Sequence, residues 1–260
     1  MNGHKRGRRV RKPLIALLGL GAWLLAGLSP AAAGSIKGVV RLTGSAAAPK
    51  KLAVTVDQFV CGKEKTAEGL VLSPEGGIRD AVVSLDAPPG ASHAGGPAVV
   101  QVDQRQCVFV PRVVIVPMGG TVEFLNSDRL LHNIHSRSIG NARLNRTQPK
   151  GRIIPISFAK PEIVRIECDL HPWMLAWVVV AEHPFHAVTN DRGEFVLDNV
   201  PPGKYVLKTW QESLGTVTKE VTVGDKGATS VTVEMSRKEA SAPQPSGTNF
   251  RISSRSSRGL

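Results

Sequence analysis

The chain has 260 residues, 42% of them hydrophobic, and 33 Lys and Arg against 21 Asp and Glu give a formal charge of +12. Six of those basic residues and no acidic ones lie in the first 33 positions, leaving +6 beyond them; five more against Glu239 follow Ser236, so the stretch 34–236 carries only about +2. With no strip of interleaved basic and aromatic residues either, this balance excludes a nucleic-acid-binding footprint.

Positions 1–33 read as a secretion signal. A basic head (Lys5, Arg6, Arg8, Arg9, Arg11, Lys12) precedes an apolar run over 14–28 and then Ser29-Pro30-Ala31-Ala32-Ala33, with cleavage expected after Ala33. An uncleaved anchor is the alternative, for which the run is short. Arg8-Arg9 is a twin-arginine feature, but Arg11 and Lys12 stand where such a signal carries apolar residues. No Cys stands at the cleavage point, so no lipid anchor is expected. The product should be periplasmic or secreted, in an oxidising compartment, without stable membrane insertion.

From 34 to 236 no long amphipathic helix is legible. Short Val- and Ile-rich segments broken by Gly, Pro and Asn predict an all-β chain. Strands are expected over 36–42, 52–56, 81–85, 99–102, 112–117, 121–125, 153–158, 163–167 and 176–181. Gly119-Gly120 and Lys160-Pro161-Glu162 supply turns, and 73–77 and 88–97 read as surface loops, with His93 solvated. A second unit, 183–236, follows. Asp191-Arg192-Gly193 and Pro201-Pro202-Gly203 are turn chemistry that fixes hairpins. At this size it should pack on the first unit rather than stand alone. The Ser-, Arg- and Pro-rich 237–260 reads as a disordered basic tail.

The chemistry concentrates in Cys168-Asp169-Leu170-His171-Pro172-Trp173-Met174, joined to Leu131-His132-Asn133-Ile134-His135 upstream. A thiolate, two imidazoles and a weak axial thioether are the ligand set of a mononuclear electron-transfer copper site. The loop spacing lets Cys168 end a strand while His171 and Met174 curl back over a metal, with His132 arriving from another strand. Each residue has a plainer reading: Met174 as core, His132 as a hydrogen-bonded turn residue, Cys168 as an inert buried thiol. Their occurrence together and in this order favours the metal. His135 shares a face with His132 on an extended strand and is a possible accessory, as is Glu167 beside Cys168. Alternation turns Glu167 away from the face of Cys168.

Three cysteines remain to be assigned. If Cys168 holds metal, Cys61 and Cys107 are left as a disulfide pair, both in loop-like settings. Pairing of Cys107 with Cys168 is the competing arrangement and would remove the thiolate from any metal site.

These residues carry resemblances. Thr121-Val122-Glu123-Phe124-Leu125-Asn126, then His132-Asn133-Ile134-His135, then the Cys168–Met174 run resemble the cupredoxin family, nearest its amicyanin, pseudoazurin and plastocyanin group. The resemblance implies a cupredoxin-like Greek-key β-sandwich over 112–182. It implies one copper on His132, Cys168, His171 and Met174, Asn133 tying the two ligand loops together, and Pro172 supporting the short loop. His171, beside Trp173, would lie nearest the surface and conduct the electron. The part over 183–236 resembles the carboxypeptidase-regulatory-like, transthyretin-like β-domain, as does Ile36-Lys37-Gly38-Val39-Val40-Arg41-Leu42. The whole resembles exported proteins of the methylamine-utilisation type. The N-terminal β extension, 34–111, has no counterpart in minimal cupredoxins and is expected to cap the copper end and restrict access.

The expected function is therefore one-electron transfer by an exported copper protein. Its partner would be a redox protein such as a cytochrome or a periplasmic dehydrogenase. No independent catalytic motif accompanies the site: Glu167-Cys168-Asp169 lacks the flanking histidines of multicopper enzymes, and no P-loop, Gly-rich dinucleotide turn or Ser-His-Asp set is present. The alternatives are a non-redox cell-envelope module recognising carbohydrate or protein on the same scaffold, and a copper-binding or delivery protein.

Overall fold

The structure, a computed structural model, describes residues 33–45, 48–86, 91 and 98–237. The signal expected over 1–33 (bar Ala33), the tail after Arg237 and His93 lie outside the described residues. No helix among the described residues is long and apolar enough to cross a membrane.

The described chain is all-β apart from one helical turn. It opens with β1 (Gly34–Leu42), β2 (Lys51–Ala53), the turn α1 (Gln58–Cys61) and β3 (Glu64–Thr66), followed by β4 (Val82–Leu85), β5 (Val99–Arg105) and β6 (Val108–Val110). The middle holds β7 (Val113–Pro117), β8 (Thr121–Asn126), β9 (His132–Arg137), β10 (Asn145–Gln148), β11 (Ile154–Ser157), β12 (Glu162–Glu167) and β13 (Leu175–Ala181). It closes with β14 (His186–Val188), β15 (Glu194–Val200), β16 (Gly203–Gln211), β17 (Gly215–Val223) and β18 (Ala228–Met235). The strand expected over 52–56 stops at Ala53 because Asp57, with φ 52°, starts α1. Strands β3, β6 and β10 are too short, and β3 and β10 also too polar, to carry a period-2 signal.

Two β-sandwiches result. In the first, a five-stranded sheet (β10-β9-β12-β13-β7) faces a four-stranded one (β11-β8-β5-β6). Their inward residues, including Val102, Phe109, Val122, Phe124, Ile134, Val164, Ile166 and Val178, form one core. In the second, β14-β4-β16-β17 faces β15-β1-β18 around Ile36, Val40, Leu85, Leu197, Leu207 and Met235. Strand β8 shows the physics plainly: every second residue, Val122, Phe124 and Asn126, is buried. In β13 the alternation fails, and the last four residues are all buried. Its outer face is covered by the second sandwich, where Val82, Val113 and Val179 meet. There Trp177 and Trp210 contact edge to face with ring centroids 5.0 Å apart.

The segment 34–111 does not form a separate layer. Strand β1 pairs with β15 and β18, and β4 with β14 and β16, so both complete the second sandwich. Strands β5 and β6 complete the first, β5 running parallel to β8. Boundaries drawn along the chain at 111 and 182 therefore cut across the sheets. Arg112 joins the parts: nearly buried, it donates to Leu175 O (2.9 Å), pairs with Glu212 at the end of β16 and lies 3.8 Å from Glu68.

Candidate metal centre

Strand β12 places Val164 and Ile166 inward, and continued alternation carries Cys168 into the same core, 1% exposed. The chain then loops through His171 and returns. Met174 N–H donates to His171 O (2.8 Å), Cys168 N–H to Met174 O (3.4 Å), and β13 begins at Leu175. Strand β9 lies beside β12 with His135 opposite Glu167, which sets Asn133 against the start of the loop. Asn133 Oδ1 accepts from Asp169 N–H at 2.6 Å and so ties the two segments.

Three donor atoms converge. His132 Nδ1 and His171 Nδ1 are 3.0 Å apart, and Cys168 Sγ lies 3.8 Å from the first and 3.5 Å from the second. Both histidines are fully buried. A point equidistant from these atoms lies about 2.0 Å from each, the bond length of a first-row metal to imidazole. Met174 is buried in the same core, where it returns the loop to β13.

The outer nitrogens fix the tautomers. His132 Nε2 lies 2.9 Å from Asp128 Oδ2 and His171 Nε2 lies 3.1 Å from Asp57 Oδ2. A carboxylate can only accept, so each Nε2 carries hydrogen and each Nδ1 presents a lone pair to the other. Two such lone pairs at 3.0 Å call for a cation between them. Burial pushes His132 toward its neutral form, against the pull of Asp128. Burial also raises the Cys168 thiol, while the N–H groups of Asn133, His171 and Leu170 aimed at its sulfur work the other way. A bound metal would deprotonate it.

Asp128 does more than orient His132. Strands β5 and β6 are joined by Gln106 and Cys107, both with left-handed φ (52° and 55°), the hand of a two-residue hairpin turn but a costly one for side-chain-bearing residues. Asp128 accepts from Gln106 N–H (2.6 Å) and Cys107 N–H (2.8 Å) and so stabilises that turn.

The N-terminal segment covers the site. The α1 turn brings in Asp57, and the Cys61–Cys107 disulfide (S–S 2.00 Å) ties α1 to the β5–β6 turn. Lys65 Nζ donates to Gln106 O at 2.5 Å. Trp173 packs on His171 with ring centroids 5.3 Å apart and donates from Nε1 to Cys107 O (3.0 Å). His171 is thus sealed, contrary to the expectation that it conducts at the surface, because Asp57 and the disulfide occupy that approach. The other candidates lie apart from the donor cluster. His135 Nδ1 meets Asp169 (2.9 and 3.0 Å), whose carboxyl is held below its usual range chiefly by that contact. Glu167 pairs with Arg137 (2.7 Å) and Arg165 (2.6 Å) on the outer side of β12. Pro172 stands exposed on the loop. The sequence reading missed Asp57 and Asp128. Asp128 was within reach, four residues before His132 in the β8–β9 turn, whereas Asp57 lies 114 positions from His171 and carries no local signal.

No protein-family model and no curated protein matches the chain. Among solved structures it is similar to a copper-containing nitrite reductase from Thermus scotoductus SA-01, at 28% identity over 38% of this chain and 25% of that one, with a TM-score of 0.31. It is also similar to a purple cupredoxin from Nitrosopumilus maritimus (22% identity, 32% of this chain, 99% of that one, TM-score 0.28). Amicyanin from Paracoccus versutus gives 20% identity over 38% of this chain and 97% of that one, with a TM-score of 0.29. The chain spans a quarter of the nitrite reductase's length, and each likeness takes in less than two fifths of the chain itself.

Proposed function

We propose that this chain is an exported one-electron carrier with a single copper ion held by His132, Cys168 and His171 and with Met174 as weak axial ligand. The observation that carries the reading is the meeting of two imidazole Nδ1 atoms and one buried sulfur within 3.0–3.8 Å, both outer nitrogens being committed to carboxylates. Thiolate, two imidazoles and a thioether suit copper better than any other common metal, and copper so held supplies a one-electron couple. The chain's residues do the rest. Asp128 and Asp57 fix ring orientation and tautomer, Asn133 locks the two loops, and the two packed sheets keep the donors in place between redox states. Complete burial excludes water from the centre.

With His171 sealed, Trp173 is the way out: it touches His171 and is itself only partly buried. Leu131 and Leu170, each adjacent in sequence to a donor histidine, are exposed and offer an apolar rim to a protein redox partner such as a cytochrome or dehydrogenase. The second sandwich braces the first through Arg112 and the Trp177–Trp210 contact.

The test is the absorption and EPR spectrum of the mature chain with Cu(II), beside Cys168→Ser. An intense thiolate-to-copper band with narrow hyperfine splitting, absent from the variant, is expected. A colourless wild-type protein with the metal site free of oxidised Cys168 would end this reading and leave a binding module on a β scaffold.

A further inference from the structure

The disulfide lies against the donor cluster. The sulfurs of Cys61 and Cys107 and a ring nitrogen of His171 all lie within 4.8 Å of one another, and all three residues are buried. Cys107 belongs to a second such group with Asp128 and His132. The bridge therefore packs directly on the residues that would hold copper. It is also the covalent hold on the covering segment. That segment has one helical turn, a hairpin of three residues a side and an outward Phe59, 80% exposed; besides the bridge it is held by Val54, buried in the first core, by Val60 packed against that core, and by single polar contacts from Asp57 and Lys65. Segments with so few buried contacts open locally well before the whole protein unfolds.

We propose that the Cys61–Cys107 disulfide is a reducible latch whose dithiol form, together with His171, is a second soft-metal site through which monovalent copper reaches Cys168 and His132. The reductant is an external dithiol. Its thiolate attacks one bridge sulfur and breaks the S–S bond, and its second thiol resolves the mixed disulfide. Two electrons and two protons pass to Cys61 and Cys107, and the reagent leaves as its own disulfide. Two sulfurs and an imidazole then form a donor set that selects Cu(I), whose binding releases the thiol protons to solvent. His171 is common to both sets, so an ion held at the first is already in contact with a ligand of the second. Reoxidation by an external disulfide, which takes up the two electrons and two protons and leaves as its dithiol, removes the sulfur donors and closes the cover. The destination rests on the copper reading above; the dithiol site itself does not.

The test uses the full mature chain carrying Cys168→Ser, which disables the central site. The protein is reduced under native conditions with dithiothreitol, freed of reagent without oxygen, and its thiols are counted. Cu(I) is then partitioned against a chromophoric Cu(I) chelator. One Cu(I) per chain is expected in the reduced variant, bound at least about tenfold more tightly than in the oxidised one. The gain should vanish when the two thiols are alkylated first, a control needing no further mutation, and in the Cys61→Ser/Cys107→Ser/Cys168→Ser protein. A bridge that the dithiol cannot reduce in the folded protein overturns the proposal, as does reduced Cys168→Ser binding Cu(I) no better than its alkylated form. A wild-type protein without the charge-transfer band whose reduced Cys168→Ser form still takes Cu(I) would sink the electron-transfer reading and leave this site standing.

Discussion

Replacing Asp128 with Asn probes both the hairpin turn and the donor cluster. Three donors converge on this one carboxylate: the N–H groups of Gln106 and Cys107 and Nε2–H of His132. An amide offers one acceptor oxygen and sets an NH₂ where the other oxygen stood. In the best rotamer the oxygen keeps Cys107 and His132 and turns two hydrogens on the N–H of Gln106. The loss is one charge-assisted hydrogen bond and the weakening of two more, about 2–3 kcal/mol. For a folded unit of this size that lowers Tm by about 5–10 °C, and in urea it shifts the midpoint at constant slope. His132 also loses the partner that fixes its tautomer, so metal affinity measured by chelator competition should fall about 10- to 100-fold. A stability change under about 0.5 kcal/mol would refute the claim that the carboxylate holds the turn. A full loss of stability with unchanged affinity would refute its role in orienting His132.

Glu162 accepts from Ser138 Oγ, Ile139 N–H, Gly140 N–H and Asn141 Nδ2; burial opposes its ionisation, but these bonds prevail and hold its carboxyl down to about 2. Because the folded value lies below the unfolded one, its stabilisation is present above about pH 4.5 and is lost as pH falls toward 2; Glu162→Gln should cost about 1 kcal/mol at pH 7, allowing for solvent screening, with the gap closing below pH 4 in urea titrations. Arg112→Ala strands the Glu212 carboxylate, which also accepts from Trp177 Nε1 (3.0 Å), and should cost about 3–5 kcal/mol; Arg112→Met with Glu212→Gln should recover much of it, and a double variant no better than the single would contradict the pairing. A Cβ on Gly77 would stand 2.0 Å from Arg192 O, and backbone there cannot yield, so Gly77→Ala should cost about 3 kcal/mol or more in thermal unfolding; a neutral result would mean the second sandwich does not close at this point.

The sequence by itself determined the all-β character and the order of donors. Alternation of buried residues along β8 and β12 needs only neighbours in the chain, and Cys168, His171 and Met174 share one short loop whose spacing limits what it can do. The tertiary structure decided the rest. Alternation says which face of a strand is buried but not which strand lies beside it. Thus the parallel pairings β1–β18 and β5–β8, which split 34–111 between two cores, left no periodic trace, and neither did β7–β13. Asp57 meets His171, and Cys61 meets Cys107, only because the fold returns the N-terminal segment over the donor loop. Whether His171 faces water or is sealed is set by that return: the spacing of Cys168, His171 and Met174 is a local property of the chain, whereas solvent access is set by everything packed around it.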